Sequence, residues 1–207
     1  MNVLSSTEFD EKFKQNNILY YPWVGQEYSS TNPKILILGE SHYYGKDCKK
    51  EEKENIDKNQ YFTRNCYSEQ YTSFTNTQAL LANNLLENEY IAKKIAFYNF
   101  FSRCIGFAPS DKQFVKKYLE ESRELFFTIL NILEPQIVIV WGTSNMWKWM
   151  PTKPNTPIHN KAYYYDDFPK IKIIHIKHPS WNKDLCKTAK ILKDFFEKNM
   201  FSYPIKN

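Results

Sequence analysis

No C-x-x-C pair occurs in this chain, whose four cysteines, Cys48, Cys66, Cys104 and Cys186, are scattered along 207 residues. That spacing argues against a zinc ribbon and against a secreted disulfide framework, so reduced thiols are expected, with no metal and no cofactor. Long apolar runs are missing too. The longest, such as residues 137–141, are far too short to cross a bilayer, and the opening MNVLSSTEFDEKFK carries no apolar core ahead of a cleavage site. A cytoplasmic protein with no membrane partner is expected. Nor is there an internal repeat, an arginine-rich tail or a linker between two halves, so residues 1–207 read as a single domain and a monomer. With 28 Lys+Arg against 23 Asp+Glu the formal charge is only +5. The pI near 8.8 implies a mildly basic surface, which permits a nucleic-acid partner without requiring one.

What the chain does have is apolar and aromatic material, 42% and 17% of its residues, enough to bury the core of one ordinary domain. Three short runs are rich in β-branched residues: 34–39 (KILILG), 136–142 (QIVIVWG) and 171–177 (IKIIHIK). The first two are apolar on consecutive positions, the pattern of strands buried on both faces of a parallel sheet. A fourth candidate strand is 95–100 (IAFYNF). After Pro109, with Ser110 or Asp111 as the cap, Phe114, Tyr118, Leu125, Ile129 and Leu133 recur at helical spacing up to Pro135. Further helices are predicted over 77–89, 143–150 and 183–199. Residues 45–69 read as a surface loop, and 151–169 as a second excursion with a short edge strand. The order β, α, β, α, β, α, β predicts an α/β protein of three layers, α/β/α, around a mainly parallel four-stranded sheet.

In such a sheet, sites form outside the carboxyl ends of the strands. The first strand ends in Gly39-Glu40-Ser41-His42-Tyr43, the 95–100 strand carries Tyr98-Asn99, and the last strand runs into His178-Pro179-Ser180. All three clusters should meet on one rim. His175 and His178 should not share a metal ion, because three residues along an extended strand reverse the side-chain direction.

These motifs, in this order, resemble the uracil-DNA glycosylase superfamily. GESHY is similar to its first motif, HPS to its last, and SFTNTQALLANNLL to the stretch in which a Phe precedes a Leu-rich helix. The run from Phe97 through Gly142 resembles the segment of strand, base-reading Asn, Pro-containing loop, long helix and closing apolar strand. The resemblance covers residues 33–196 and implies strand order 2-1-3-4.

It also implies roles. Asn99 would read a flipped base, since a carboxamide both donates and accepts; on the residues alone it is an Asn closing a strand. Phe74 would be the ring on which the base stacks, with core packing as its other reading. His178 would stabilise negative charge on the leaving base, and Glu40 would orient a water or offset positive charge on the sugar. A loop histidine and a solvated or ion-paired glutamate are the alternatives. Ser41 stands where strict uracil enzymes place an Asp, and His42 where they have a Pro. Tyr43 matches the Tyr against the C5 edge of the base, completing the implied base-binding set. Ser180 would contact phosphate, and Trp181 would lie on the loop pressed against DNA; independently of the resemblance, the charge of Lys183 near the rim suits a phosphate contact. Ser180 could equally cap the last helix, and Trp181 could be a packing staple. The iron–sulfur cluster of some relatives is not expected, because their N-terminal Cys pair is missing.

The implied function is a monofunctional DNA glycosylase acting on uracil or a related damaged or modified base, in single-stranded DNA or on a flipped base, for base excision in DNA repair or in defence against foreign DNA. A non-catalytic nucleic-acid-binding member of the same fold is the alternative. An unrelated hydrolase using Glu40, His42 and His178 is a third reading.

Overall fold

The computed structural model describes residues 5–43, 91–105, 112–151, 162–179 and 185–200. Its centre is a mostly parallel sheet. Strands β1 (Trp23–Val24), β2 (Ile35–Tyr43), β3 (Ile95–Ile105), β4 (Ile137–Trp141), β5 (Ala162–Tyr165) and β6 (Phe168–Ile176) lie in the order β1-β3-β2-β4-β6-β5. β3, β2, β4 and β6 pair in parallel, while β1 and β5 join the two edges antiparallel. The sheet therefore has six strands where the sequence predicts four. β5 falls within the second excursion, where a short edge strand is expected. β1 is too short to show any period, and exists because its two residues pair with Phe97 and Ala96.

Consecutive apolar residues read as two-faced burial, and all five residues of β4 are buried. On β2, Ile35 and Ile37 enter one core while Leu36 and Leu38 enter the other. Helix α1 (Asp10–Gln15) opens the described chain, and α2 (Ile91–Lys94) precedes β3. Helix α3 (Lys112–Leu133) covers one face, where Phe126, Ile129, Leu130 and Leu133 pack on Leu36, Tyr98 and Val138. It ends because Glu134 takes a left-handed φ of 46° just before Pro135, which cannot continue a helix. Helix α5 (Leu185–Met200) covers the other face with Leu192, Phe195 and Phe196, which pack on Ile139, Trp141 and Ile174. The helix predicted over 77–89, the loop 45–69 and the caps Ser110 and Asp111 lie outside the described residues. Among those described, no helix is long and apolar enough to cross a membrane.

Short helix α4 (Asn145–Trp149) follows a sharp exit from β4. Gly142 adopts φ +115°, open only to glycine at little cost, and its amide donates to the Ile176 carbonyl at 2.8 Å. Its own carbonyl accepts from Nδ1 of buried His175 at 2.9 Å. With Nδ1 carrying the proton, Nε2 of the same ring accepts from the Tyr163 hydroxyl at 3.1 Å. One histidine thus ties the β4 exit to edge strand β5. Tyr163→Phe leaves Nε2 buried without a donor, so urea denaturation should reveal a loss of about 1–3 kcal/mol. An unchanged midpoint would mean that the hydroxyl bond contributes nothing net.

Candidate active site

Because β3, β2, β4 and β6 are parallel, their carboxyl ends open on one rim. Chain order sends β2 on to β3 at one side and β4 on to β6 at the other. Strand order thus reverses between β2 and β4, where an open α/β sheet leaves a crevice. Gly39-Glu40-Ser41, Asn99, Trp141 and His178 all stand at this end. The three expected clusters are therefore brought to one rim.

Gly39 pairs in register with Asn99. A Cβ at Gly39 would overlap Asn99 Oδ1 and come 2.8 Å from Phe97 Cζ. The missing side chain is what lets the carboxamide and the ring edge lie across β2. Phe97 is buried in the α5-side core, with its ring centroid 5.1 Å from that of Trp141. Trp141 in turn meets the His178 ring edge-on at 5.4 Å. An aromatic row therefore runs from β3 over β2 and β4 to the residues after β6. Asn99 lies at one end of it and His178 at the other.

Burial lowers the pKa of His178, so its ring is held neutral near pH 7 and offers one N–H donor. His175 turns the opposite way, into the Tyr163 and Trp147 side of the sheet. The reversal expected of two histidines three residues apart is what the strand produces. Glu40 is half-buried and Ser41 buried. Only the backbone of His42 and Tyr43 is described, and it pairs with Cys104 and Ile105. Phe74, Ser180, Trp181 and Lys183 lie outside the described residues. Among those described, no three His, Cys, Asp or Glu side chains are grouped to hold a metal ion.

The polar accounting at this end is unusual. Ser41 Oγ, Tyr98 Oη, Ser102 Oγ, Arg103 Nε and Trp141 Nε1 are buried without a hydrogen-bond partner. Four of these residues sit at the carboxyl ends of β2, β3 and β4, and Tyr98 is level with Leu38 of β2. Buried polar groups are normally paired, and among the described residues the exceptions gather toward this end of the sheet.

Reading the sequence missed Trp141 and the role of Gly39. A Trp at the end of an otherwise aliphatic buried strand, and a Gly directly after the ILIL run, were the available signals. Neither says which partner lies across the sheet. Compared with known protein families the chain matches none, and no curated protein is significantly similar to it.

Two outcomes follow from this geometry. Gly39→Ala forces Asn99 and Phe97 off the strand, and a stability loss of about 1–3 kcal/mol should appear on urea denaturation, with wild-type stability refuting the close approach. For His178, the native state binds its proton less readily than the unfolded chain, whose value is about 6.5. Stability therefore rises with pH across the window between the two values and falls as pH drops below about 6.5. Against His178→Asn, which does not titrate, the wild-type stability curve should bend downward in that window. Parallel curves would show that the ring is not desolvated.

Proposed function

We propose that this chain is a DNA glycosylase of the uracil-DNA glycosylase kind, hydrolysing the bond between deoxyribose and a damaged or modified base, uracil or a relative. The observation carrying this reading is the Asn99 carboxamide lying across the bare Gly39, joined by an aromatic row to a neutral His178. The parallel strands β3-β2-β4-β6 stand second, first, third and fourth in the chain, which supports the order 2-1-3-4 that the resemblance implies.

The chemistry divides between the two ends of the row. A flipped base brought to the rim beside the end of β2 meets the carboxamide of Asn99, which accepts from a ring N–H and donates to a carbonyl. Ser41, His42 and Tyr43 follow on the same strand and complete the pocket, with Phe74 as the stacking ring. As the C1′–N bond breaks, its electron pair passes to the base, and the His178 N–H stabilises the anion. A neutral imidazole suits this task, because its weakly acidic N–H donates a hydrogen bond to the anion and keeps its proton. Glu40 faces the sugar side, orienting the water that adds to C1′ or offsetting its positive charge. Ser180, Trp181 and Lys183 engage the DNA backbone. No lysine in these motifs is set for Schiff-base chemistry, so the product is an abasic site in an uncut strand.

The test is a panel of oligonucleotides carrying different lesions, read by alkaline cleavage of abasic sites. His178→Ala and Glu40→Gln should each slow single-turnover excision roughly 10²-fold while DNA affinity stays near wild type. Asn99→Ala should instead blur discrimination between bases. If all three variants excise a true substrate at the wild-type rate, the assignment is wrong. Binding without release of any base would favour the non-catalytic nucleic-acid-binding reading, and ester turnover without DNA affinity an unrelated hydrolase.

A further inference from the structure

Three of the five orphaned polar atoms belong to one short stretch of β3 on its α3 side, apart from the Asn99 and His178 row. Up to Asn99 the ladder between β2 and β3 is regular, and beyond it the alternation fails. The Phe100 and Phe101 rings, which a regular strand would send to opposite faces, lie 5.1 Å apart edge-to-face in the α3-side core. Ser41 pairs with Phe101, whereas the next residue, His42, pairs with Cys104. Ser102 and Arg103 are thus left over as a bulge, the device by which a strand re-aims side chains beside a site.

The bulge produces a buried, donor-rich cluster. Ser102 is 2% and Tyr98 1% exposed, yet neither hydroxyl has a hydrogen-bond partner. The two are close enough for one to act on the other. Burial pushes the Tyr98 phenol pKa up, the Ser102 hydroxyl opposes that shift, and Glu121 and Arg103 are near enough to act on it. Arg103 gives Nη2 to Glu121 at 2.6 Å and leaves Nε buried and unpaired. Its guanidinium lies 5.7 Å from the Tyr118 ring centroid, and Lys117 Nζ lies 4.8 Å from the same centroid. Exposed Lys112 and Lys116 add positive charge on the first turns of α3.

We propose that Tyr98, Ser102 and Arg103 form an oxyanion subsite that takes a phosphate group on the α3 side of the rim. Three unpartnered donors close together on β3 match a ligand with several acceptor oxygens better than a carboxylate with two. The lysines at the head of α3 favour negative charge, and the single carboxylate in the cluster, Glu121, is already engaged by Arg103. The phosphate can come from the backbone of a nucleic-acid strand or from a free phosphate compound. The subsite stands on this geometry and does not rest on base excision.

A stability and binding pair tests it. In the free protein the two hydroxyls are desolvated without return, so the double variant Tyr98→Phe, Ser102→Ala should raise the Tm. The same variant should weaken phosphate binding about 10-fold or more. Inorganic phosphate should raise the wild-type Tm above sodium chloride of equal ionic strength, and the variant should lose that increment. Arg103→Lys, which keeps the charge but loses Nε, should lose it as well. Competition by a single-stranded oligonucleotide, but not by its uncharged methylphosphonate analogue, would assign the phosphate to a strand backbone. Competition by neither would assign it to a free phosphate compound. The proposal is overturned if the double variant is less stable than wild type, if phosphate leaves the wild-type Tm unmoved, or if wild type and variant respond alike. None of these readouts uses base release, so failure here is distinguishable from failure of the glycosylase assignment.

Discussion

Burial of β2 and β4 on both faces is the constraint from which the remaining architecture follows. Ile35, Ile37, Ile137 and Ile139 enter the α5-side core while Leu36, Leu38, Val138 and Val140 enter the α3-side core. A strand between two apolar layers has no place for an unpaired polar side chain along its length. Polarity can appear only where the strands end, and parallel pairing puts those ends together. The rim is therefore polar by exclusion. Its chemistry is concentrated at a place the hydrophobic core defines.

Within that rim, close approach does what hydrogen bonding does elsewhere. The bare Cα of Gly39 admits the Asn99 carboxamide and the edge of Phe97, and the ring of Trp141 then bridges toward His178. Each contact depends on the one before it. A row of mutually inclined rings has little freedom to rearrange, because every ring is held by a neighbour from another part of the sheet. It also dries the neighbourhood of His178, which is why that ring stays neutral. The geometry that positions the donor also sets its protonation state.

The two histidines at the end of β6 and just beyond it illustrate how position alone sets a side chain's surroundings. His175 has a carbonyl on one nitrogen and a tyrosine hydroxyl on the other, so both nitrogens are committed to the fold. His178 lies beyond the strand end, on the opposite face, against Trp141. Similarly, β3 contributes Asn99 to one side of the rim and a bulge to the other. A single strand thus presents polar groups on both sides of the sheet because its alternation fails beyond Asn99.

Sequence alone determined the elements whose signal is local. Runs of β-branched residues mark β2, β4 and β6, and Phe114, Ile129 and Leu133 mark α3 by their period. Parallel strands joined by helices also predict that GESHY, Asn99 and His178 share one end of the sheet, which required no knowledge of any contact. Tertiary structure decided the remainder. β1 has two residues and no period, so only its pairing with β3 makes it a strand. The place of Trp141 beside His178, the use of Gly39 as a seat and the bulge at Ser102-Arg103 all arise from registers between strands far apart in the chain. Periodicity reports which face a residue takes. It carries nothing about which residue stands opposite, because that is set by how separate strands slide into register and how their side chains pack.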